Sequence, residues 1–171
     1  MEWWFEAFVK ILPAYTANMA PLTLVFLDPF KILKRFSKPL DGGRKMKDGT
    51  RIFGDGKTWL GFFTFPIYGI LTALLLNKTG LHTWLSGLLL GFGALFGDLA
   101  GSFIKRRKKM KRGSKAGLLD QIDFITGAVL FTLPVFSWSL SELLLIFFVT
   151  PFGHRLSNYI GYKLKIKDVP W

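Results

Sequence analysis

Long apolar stretches separated by basic clusters are the feature that most limits what this chain of 171 residues can fold into. A helix that crosses a bilayer needs about 20 mainly apolar residues. Half of the residues are hydrophobic, yet the formal net charge is +12, a combination that is rare in a soluble domain. Because the two properties are segregated along the chain, the sequence predicts an all-α, polytopic membrane protein, with residues 1–171 forming a single domain.

Five transmembrane helices are predicted from these stretches. They cover residues 3–26, 59–76, 83–104, 122–136 and 140–162. The first contains Glu6 and Lys10, whose spacing of four residues predicts an ion pair on one helix face. The last two are divided at Pro134 and the polar turn that follows it.

The orientation in the membrane is predicted from the basic residues of the connections. Lys and Arg number nine in 27–58, eight in 105–121 and four from 155 onward, whereas the other two connections contain only Lys78. By the positive-inside rule, the two basic loops and the C-terminus face the cytoplasm and the N-terminus lies outside the cell membrane. Residues 30–36 interleave apolar and basic side chains, which is typical of a short interfacial helix or, alternatively, of a solvated connector.

Several classes of site are excluded by composition and spacing. The chain has no cysteine, so disulfides, thiolate catalysis and Cys-ligated metals are excluded. His82 and His154 lack metal-ligand spacing and are assigned no role. Gly-Lys-Thr at 56–58 resembles a P-loop, but Arg51 stands where that motif needs glycine and no strand precedes it, so a P-loop NTPase is rejected.

An acidic residue inside the third span is the first candidate for chemistry. Placing the Asp98 side chain in a bilayer costs several kcal/mol of free energy, so a functional or structural role is expected for it. Asp98, Ser102 and Lys105 are spaced i, i+4, i+7 and share one helix face, where they could hold a cation and a phosphate together. The alternative is that Asp98 is a structural partner for a basic residue of the bundle.

Two further carboxylates, Asp120 and Asp123, begin the fourth span at i, i+3. Because spans three and four are antiparallel neighbours, we expect them to meet Asp98 at the inner rim of the membrane. Carboxylate oxygens in that number suit Mg²⁺, which takes one or two carboxylates together with substrate phosphates and waters. The alternative role for Asp120 and Asp123 is capping of the helix.

The segment 51–59 is the third candidate. Its glycines allow the backbone to approach phosphates, and Lys57 adds a positive charge. The alternative is an ordinary turn before the second span.

Two of these motifs together resemble a known signature. Gly-Asp-Leu-x-x-Ser-x-x-Lys-Arg at 97–106, followed by Leu-Asp-x-x-Asp at 119–123, is similar to the signature of membrane CTP:phosphatidate cytidylyltransferases. The Lys-Asp pair and the His-Gly-Gly run of the bacterial and eukaryotic members are missing. The shorter form, with blocks at 12–15, 17–21 and 51–59, resembles the archaeal branch, the CDP-archaeol synthases.

The resemblance implies a reaction, a cofactor and a set of site residues. CTP and an archaeal prenylglyceryl ether phosphate from the bilayer would give CDP-archaeol and pyrophosphate, with no nucleic-acid partner. By this resemblance, Mg²⁺ is held by Asp98, Asp120 and Asp123, which are catalytic together with Lys105. The residues implied to contact CTP and its phosphates are Asn18, Asp55, Gly56, Lys57, Thr58, Ser102, Lys105 and Arg106.

Other functions are weighed against this one. A CDP-alcohol phosphotransferase needs Asp-Gly-x-x-Ala-Arg, which the sequence at 41–46 does not supply. A CTP-dependent polyprenol or lipid kinase stays open on motifs alone. A small ion carrier using Asp98 and Glu6 is less favoured, because the acids cluster at one surface beside basic loops.

Overall fold

The computed structural model describes residues 2–27, 37–110, 114 and 116–164, and for 21–27 it describes the backbone alone. Within these residues the protein is all-helical, as predicted. The α-helices are α1 (Trp3–Leu27), α2 (Trp59–Leu75), α3 (Trp84–Arg107), α4 (Leu119–Thr132) and α5 (Leu140–Lys163), with a short 3₁₀ helix at Asn77–Thr79. The predicted interfacial helix at 30–36 lies outside the described residues.

The helix boundaries agree with the predicted spans to within one residue, except at α3, which continues three residues further to Arg107, and at α4. This helix begins at Leu119 and ends at Thr132, whereas the prediction was 122–136. The helical hydrogen bonds already start at the Leu118 carbonyl, which accepts from the Gln121 N–H at 2.9 Å. The polar residues Asp120 and Gln121 therefore belong to the first turn of α4. It ends before Pro134, which has no N–H to continue the ladder.

By length and composition, α3 is the one helix of the described part that is both long and apolar enough to cross a membrane, and α2 is apolar but shorter. Large apolar side chains nevertheless cover the outside of the other helices as well. Leu75 of α2 is 82% exposed and Phe148 of α5 is 70% exposed. An apolar surface this extensive is typical of a protein surrounded by lipid.

Helix α3 lies between α2 and α4, and glycines allow both close approaches. A Cβ atom on Gly91 would lie 2.6 Å from the Phe65 carbonyl oxygen of α2. On the other side, a Cβ atom on Gly93 or Gly97 would overlap the backbone of α4. Gly93, Gly97 and Gly101 recur at steps of four, a spacing that predicts a smooth face for close helix packing. The structure confirms this face, which brings the N-terminal turns of α4 against the C-terminal half of α3.

The predicted ion pair in the first helix is present. Lys10 Nζ lies 2.8 Å from a carboxylate oxygen of Glu6 and 2.7 Å from one of Glu142 in α5. Lys10 also donates to the Ser137 carbonyl at 3.3 Å. These contacts neutralise the charges of α1 and tie it to the turn before α5.

Candidate active site

The connection between α1 and α2 contains a glycine-rich turn, residues 54–57, which lies at the C-terminal end of α3. Backbone pairing between Pro39 and Thr58 closes the segment that contains this turn. The Leu40 N–H donates to the Lys57 carbonyl at 2.7 Å, and Thr58 caps α2 by accepting from Gly61. The turn therefore has a defined position, and Lys57 projects from it toward α3.

Lys57 and Asp98 form a direct ion pair. Lys57 Nζ donates to both carboxylate oxygens of Asp98 at 2.6 Å each. Both side chains are about one-fifth exposed, with values of 22% and 20%. Asp98 therefore has a basic partner, and that partner comes from the segment predicted to bind phosphates.

Asp120 is paired in the same way. Lys105 Nζ donates to its Oδ1 atom at 2.6 Å, and the Ala116 N–H donates to Oδ2 at 2.8 Å. The N-cap of α4 is Leu118 and has no side-chain capping bond, so neither Asp120 nor Asp123 is the cap residue.

Asp123 lies in the groove formed by the glycines of α3. Its backbone contacts Gly97, and its carboxylate lies so close to Gly101 that a Cβ atom there would overlap it. The carboxylate accepts from the Phe124 N–H at 2.7 Å and is near enough to Asp98 for the two charges to interact. Among the described residues, no Lys or Arg lies within ion-pair distance of it.

The three aspartates thus share one end of the α3–α4 pair, but they do not form a ready set of ligands. Within the described ranges, no three His, Cys, Asp or Glu side chains are grouped so that they could hold a metal ion. Asp98 and Asp120 each make a close ion pair with a lysine instead. Of the three aspartates, Asp98 and Asp123 are near enough for their charges to interact.

Two cavities meet at the glycine-rich turn. The first, here called the Lys57 cavity, has a volume of about 260 Å³ and lies between α1, α2, α3 and α5. Its polar lining consists of Asn18, Lys57, Thr58, Asp98, His154, Ser157 and Asn158. The second, here called the basic cavity, has a volume of about 150 Å³. Its polar lining consists of Asp55, Lys57, Ser102, Lys105 and Arg106.

Every residue predicted to contact CTP lines one of these two cavities. Asn18 and Thr58 line the Lys57 cavity, whereas Asp55, Ser102 and the basic end of α3 line the basic cavity. Gly56 and Lys57 line both. Residues from three separate parts of the chain are therefore brought to one site.

Sequence reasoning missed the contribution of α5. His154, Ser157 and Asn158 line the Lys57 cavity, although His154 was assigned no role. The Asn158 amide lies 3.2 Å from His154 Nδ1, and Ser157 Oγ donates to the His154 carbonyl at 3.0 Å. Their spacing of i, i+3, i+4 places them on one face of the predicted fifth span, a signal that could have found them. His82 is different, because it is buried against the Val9 carbonyl and Ser86 as part of the bundle.

The whole sequence is similar to proteins of known type. A family profile described as CarS-like: CDP-archaeol synthase matches residues 1–171. A CDP-archaeol synthase of Thermococcus onnurineus is 42% identical over 96% of this chain and 95% of its own length. One of Pyrococcus abyssi is 43% identical over 98% of each chain.

A solved structure has the same fold. It is described as "Structural insight into an intramembrane enzyme for archaeal membrane lipids biosynthesis". It superposes with a TM-score of 0.73 at 32% identity and covers 91% of this chain and 94% of its own.

Proposed function

Since the chain belongs to the CDP-archaeol synthase family, we propose that its two adjoining cavities hold CTP, with the triphosphate beside Lys57. The protein is a membrane cytidylyltransferase that makes CDP-archaeol. This family membership sets aside the lipid kinase and the ion carrier. The observation that carries the site assignment is that Lys57 lines both cavities and pairs with Asp98.

The second substrate is a prenylglyceryl ether phosphate that reaches the site from the bilayer. An oxygen of its phosphate forms a bond to the α-phosphorus of CTP, the bond from that phosphorus to the bridging oxygen breaks, and pyrophosphate leaves. The attacking group is already anionic, so the reaction needs positioning and charge neutralisation rather than a general base. Lys57, Lys105 and Arg106 supply positive charge around the triphosphate.

Asp98, Asp120 and Asp123 are proposed to hold Mg²⁺. Their donor atoms are all carboxylate oxygens, which this ion prefers. The fit is supported by Asp123, a half-buried carboxylate beside Asp98 with no Lys or Arg at ion-pair distance in the described part of the chain. The ion would neutralise the phosphate oxygens and the leaving pyrophosphate. Lys57 and Lys105 would then exchange their aspartate partners for phosphate oxygens.

All five helices are proposed to cross the membrane, with the N-terminus outside and the site on the cytoplasmic side. The exposed apolar side chains of α2 and α5 support the lipid contact. The orientation is supported by the position of the site, because Lys57 lies in the basic α1–α2 connection and Lys105 and Arg106 lie at the basic end of α3.

A labelling experiment tests this function. Purified protein in lipid nanodiscs receives CTP labelled at the α-phosphorus, Mg²⁺ and 2,3-di-O-geranylgeranylglyceryl phosphate. We expect the label in a CDP-lipid and an equal amount of pyrophosphate. Release of labelled CDP together with a newly phosphorylated lipid would identify a kinase instead. A reaction that proceeds at full rate in excess chelator would contradict the role of Mg²⁺.

A further inference from the structure

A carboxylate outside both cavities organises the turn that carries Lys57. Asp41 follows Leu40 in the α1–α2 connection, and its side chain is fully buried although it is charged. A buried charge is costly unless it is paired and hydrogen-bonded. The surroundings of Asp41 show what offsets this cost.

Five N–H groups point at the Asp41 carboxylate. Arg51 donates from Nε at 3.2 Å and from Nη2 at 2.5 Å. The backbone N–H groups of Gly43, Phe53 and Gly54 donate at 3.1, 3.1 and 2.9 Å. Burial alone would raise the pKa of the Asp41 carboxyl, but the Arg51 guanidinium and these backbone groups outweigh it and hold that pKa well below its ordinary value.

These bonds hold the glycine-rich turn at its first residue. Gly54 has a φ of 94°, a left-handed conformation that favours glycine, and its N–H is bound by Asp41. At the other end of the turn, the Lys57 carbonyl accepts from Leu40, the residue before Asp41. The Lys57 N–H donates to the Gly54 carbonyl at 3.2 Å, which closes the turn between these two anchors.

Arg51 also links this part of the connection to α3. Its Nη1 atom pairs with Asp55 at 2.7 Å, and its backbone carbonyl accepts from Arg107 Nη2 of α3 at 2.6 Å. Asp55 lines the basic cavity, whereas Asp41 is in the lining of neither cavity described here. Asp41 therefore acts on the site only through the residues that it holds.

We propose that Asp41 is a positioning residue for cytidylyl transfer, which sets the turn from Gly54 to Lys57 so that Lys57 meets the phosphates of CTP. The inference rests on the proposed function. It differs from a general structural role in predicting an effect on CTP and not on the lipid. The turn faces the two cavities that are proposed to hold CTP.

The kinetic test uses the full-length protein in nanodiscs. Asp41→Asn keeps one acceptor oxygen but loses the charge and the second oxygen. We expect it to raise KM for CTP about tenfold while KM for the lipid phosphate changes less than about twofold. Arg51→Lys keeps the positive charge but loses the bidentate hydrogen bonding to Asp41. It should therefore raise KM for CTP by a smaller factor.

Asp48→Asn is the matched control. It makes the same change of charge in the same connection, at an exposed carboxylate bonded to Thr50 and Arg107. We expect wild-type constants for it. If Asp41→Asn fails to fold, Arg51→Lys decides the question. A fall in kcat with KM for CTP unchanged in the folded variant would overturn the proposal.

Amide hydrogen exchange separates this inference from the proposed function. The N–H groups of Phe53 and Gly54 should exchange faster in Asp41→Asn than in wild type or Asp48→Asn. Unchanged exchange would overturn the positioning role whatever the protein does with CTP. A wild-type protein that makes no CDP-lipid, but whose exchange responds as expected, would instead contradict the proposed function.

Discussion

Lys57 and Asp98 are separated by 41 positions in the sequence, yet the lysine ammonium bonds both oxygens of the aspartate at 2.6 Å. One partner lies in a loop and the other inside a helix. This ion pair connects the glycine-rich turn, whose residues line both cavities, to the end of α3 and α4 that carries the three aspartates. In the proposed reaction, Lys57 changes partner from the carboxylate to a phosphate.

Replacement of Lys57 should therefore remove activity rather than only loosen the structure. We expect Lys57→Met to lower kcat/KM for CTP by about 100-fold or more, because the proposed charge-assisted contact to the CTP phosphates is lost. The formation of labelled CDP-lipid measures this. Lys78→Ala, at the opposite end of the bundle, is the control and should have the wild-type rate. A Lys57→Met enzyme within about threefold of wild type would contradict the assignment.

Each of the three aspartates is expected to be needed for turnover. Asp98→Asn, Asp120→Asn and Asp123→Asn should each lose most activity and keep the fold, because the amide keeps the volume but removes the negative charge that is proposed to bind Mg²⁺. A titration with Mg²⁺ should also require a higher concentration for half-maximal rate in any variant with measurable turnover. Wild-type turnover in one of the three would remove that residue from the proposed metal site.

The packing of α3 on α4 predicts a strong effect of one methyl group. In Gly97→Ala the new Cβ would overlap the Asp123 backbone, so the helices must separate. We expect a loss of about 1–3 kcal/mol, or failure to fold, measured by thermal unfolding in detergent. Gly153→Ala in α5 is the matched control, because nothing lies within 4 Å of its Cβ position. Alanine there should leave stability equal or raise it by up to about 1 kcal/mol.

The polar residues of α5 should affect CTP binding. We expect Asn158→Leu to raise KM for CTP about tenfold, since it replaces an amide in the lining of the Lys57 cavity with an apolar group. Tyr159→Phe, the neighbouring exposed position, should have the wild-type KM. Equal values of KM for CTP in Asn158→Leu and wild type would place the nucleotide outside this cavity.

Much of the architecture was predictable because it is local. Apolar runs of sufficient length specify helices whatever else the chain does, and Pro134 marks the end of α4 through its missing N–H. The glycine spacing in α3 correctly indicated a close packing face, since a missing side chain affects any neighbour in the same way.

The site residues were predictable from sequence only where they belong to a recognisable motif. The residues implied to contact CTP all line the two cavities, including Asn18 from α1, whereas Asp120 and Asp123 line neither. Asp41 was considered only as part of a failed phosphotransferase motif. Its five donors come from four different residues, and no spacing rule relates them.

The sequence by itself determined the helices, the separation of apolar and basic segments, and the family to which the chain belongs, because each depends on the order of residues along the chain. Only the tertiary structure decided that Lys57 pairs with Asp98, that Lys105 pairs with Asp120, and that α5 completes the cavity. Pairing of charges depends on distances in space, and folding sets those distances through the packing of helices that are remote in sequence.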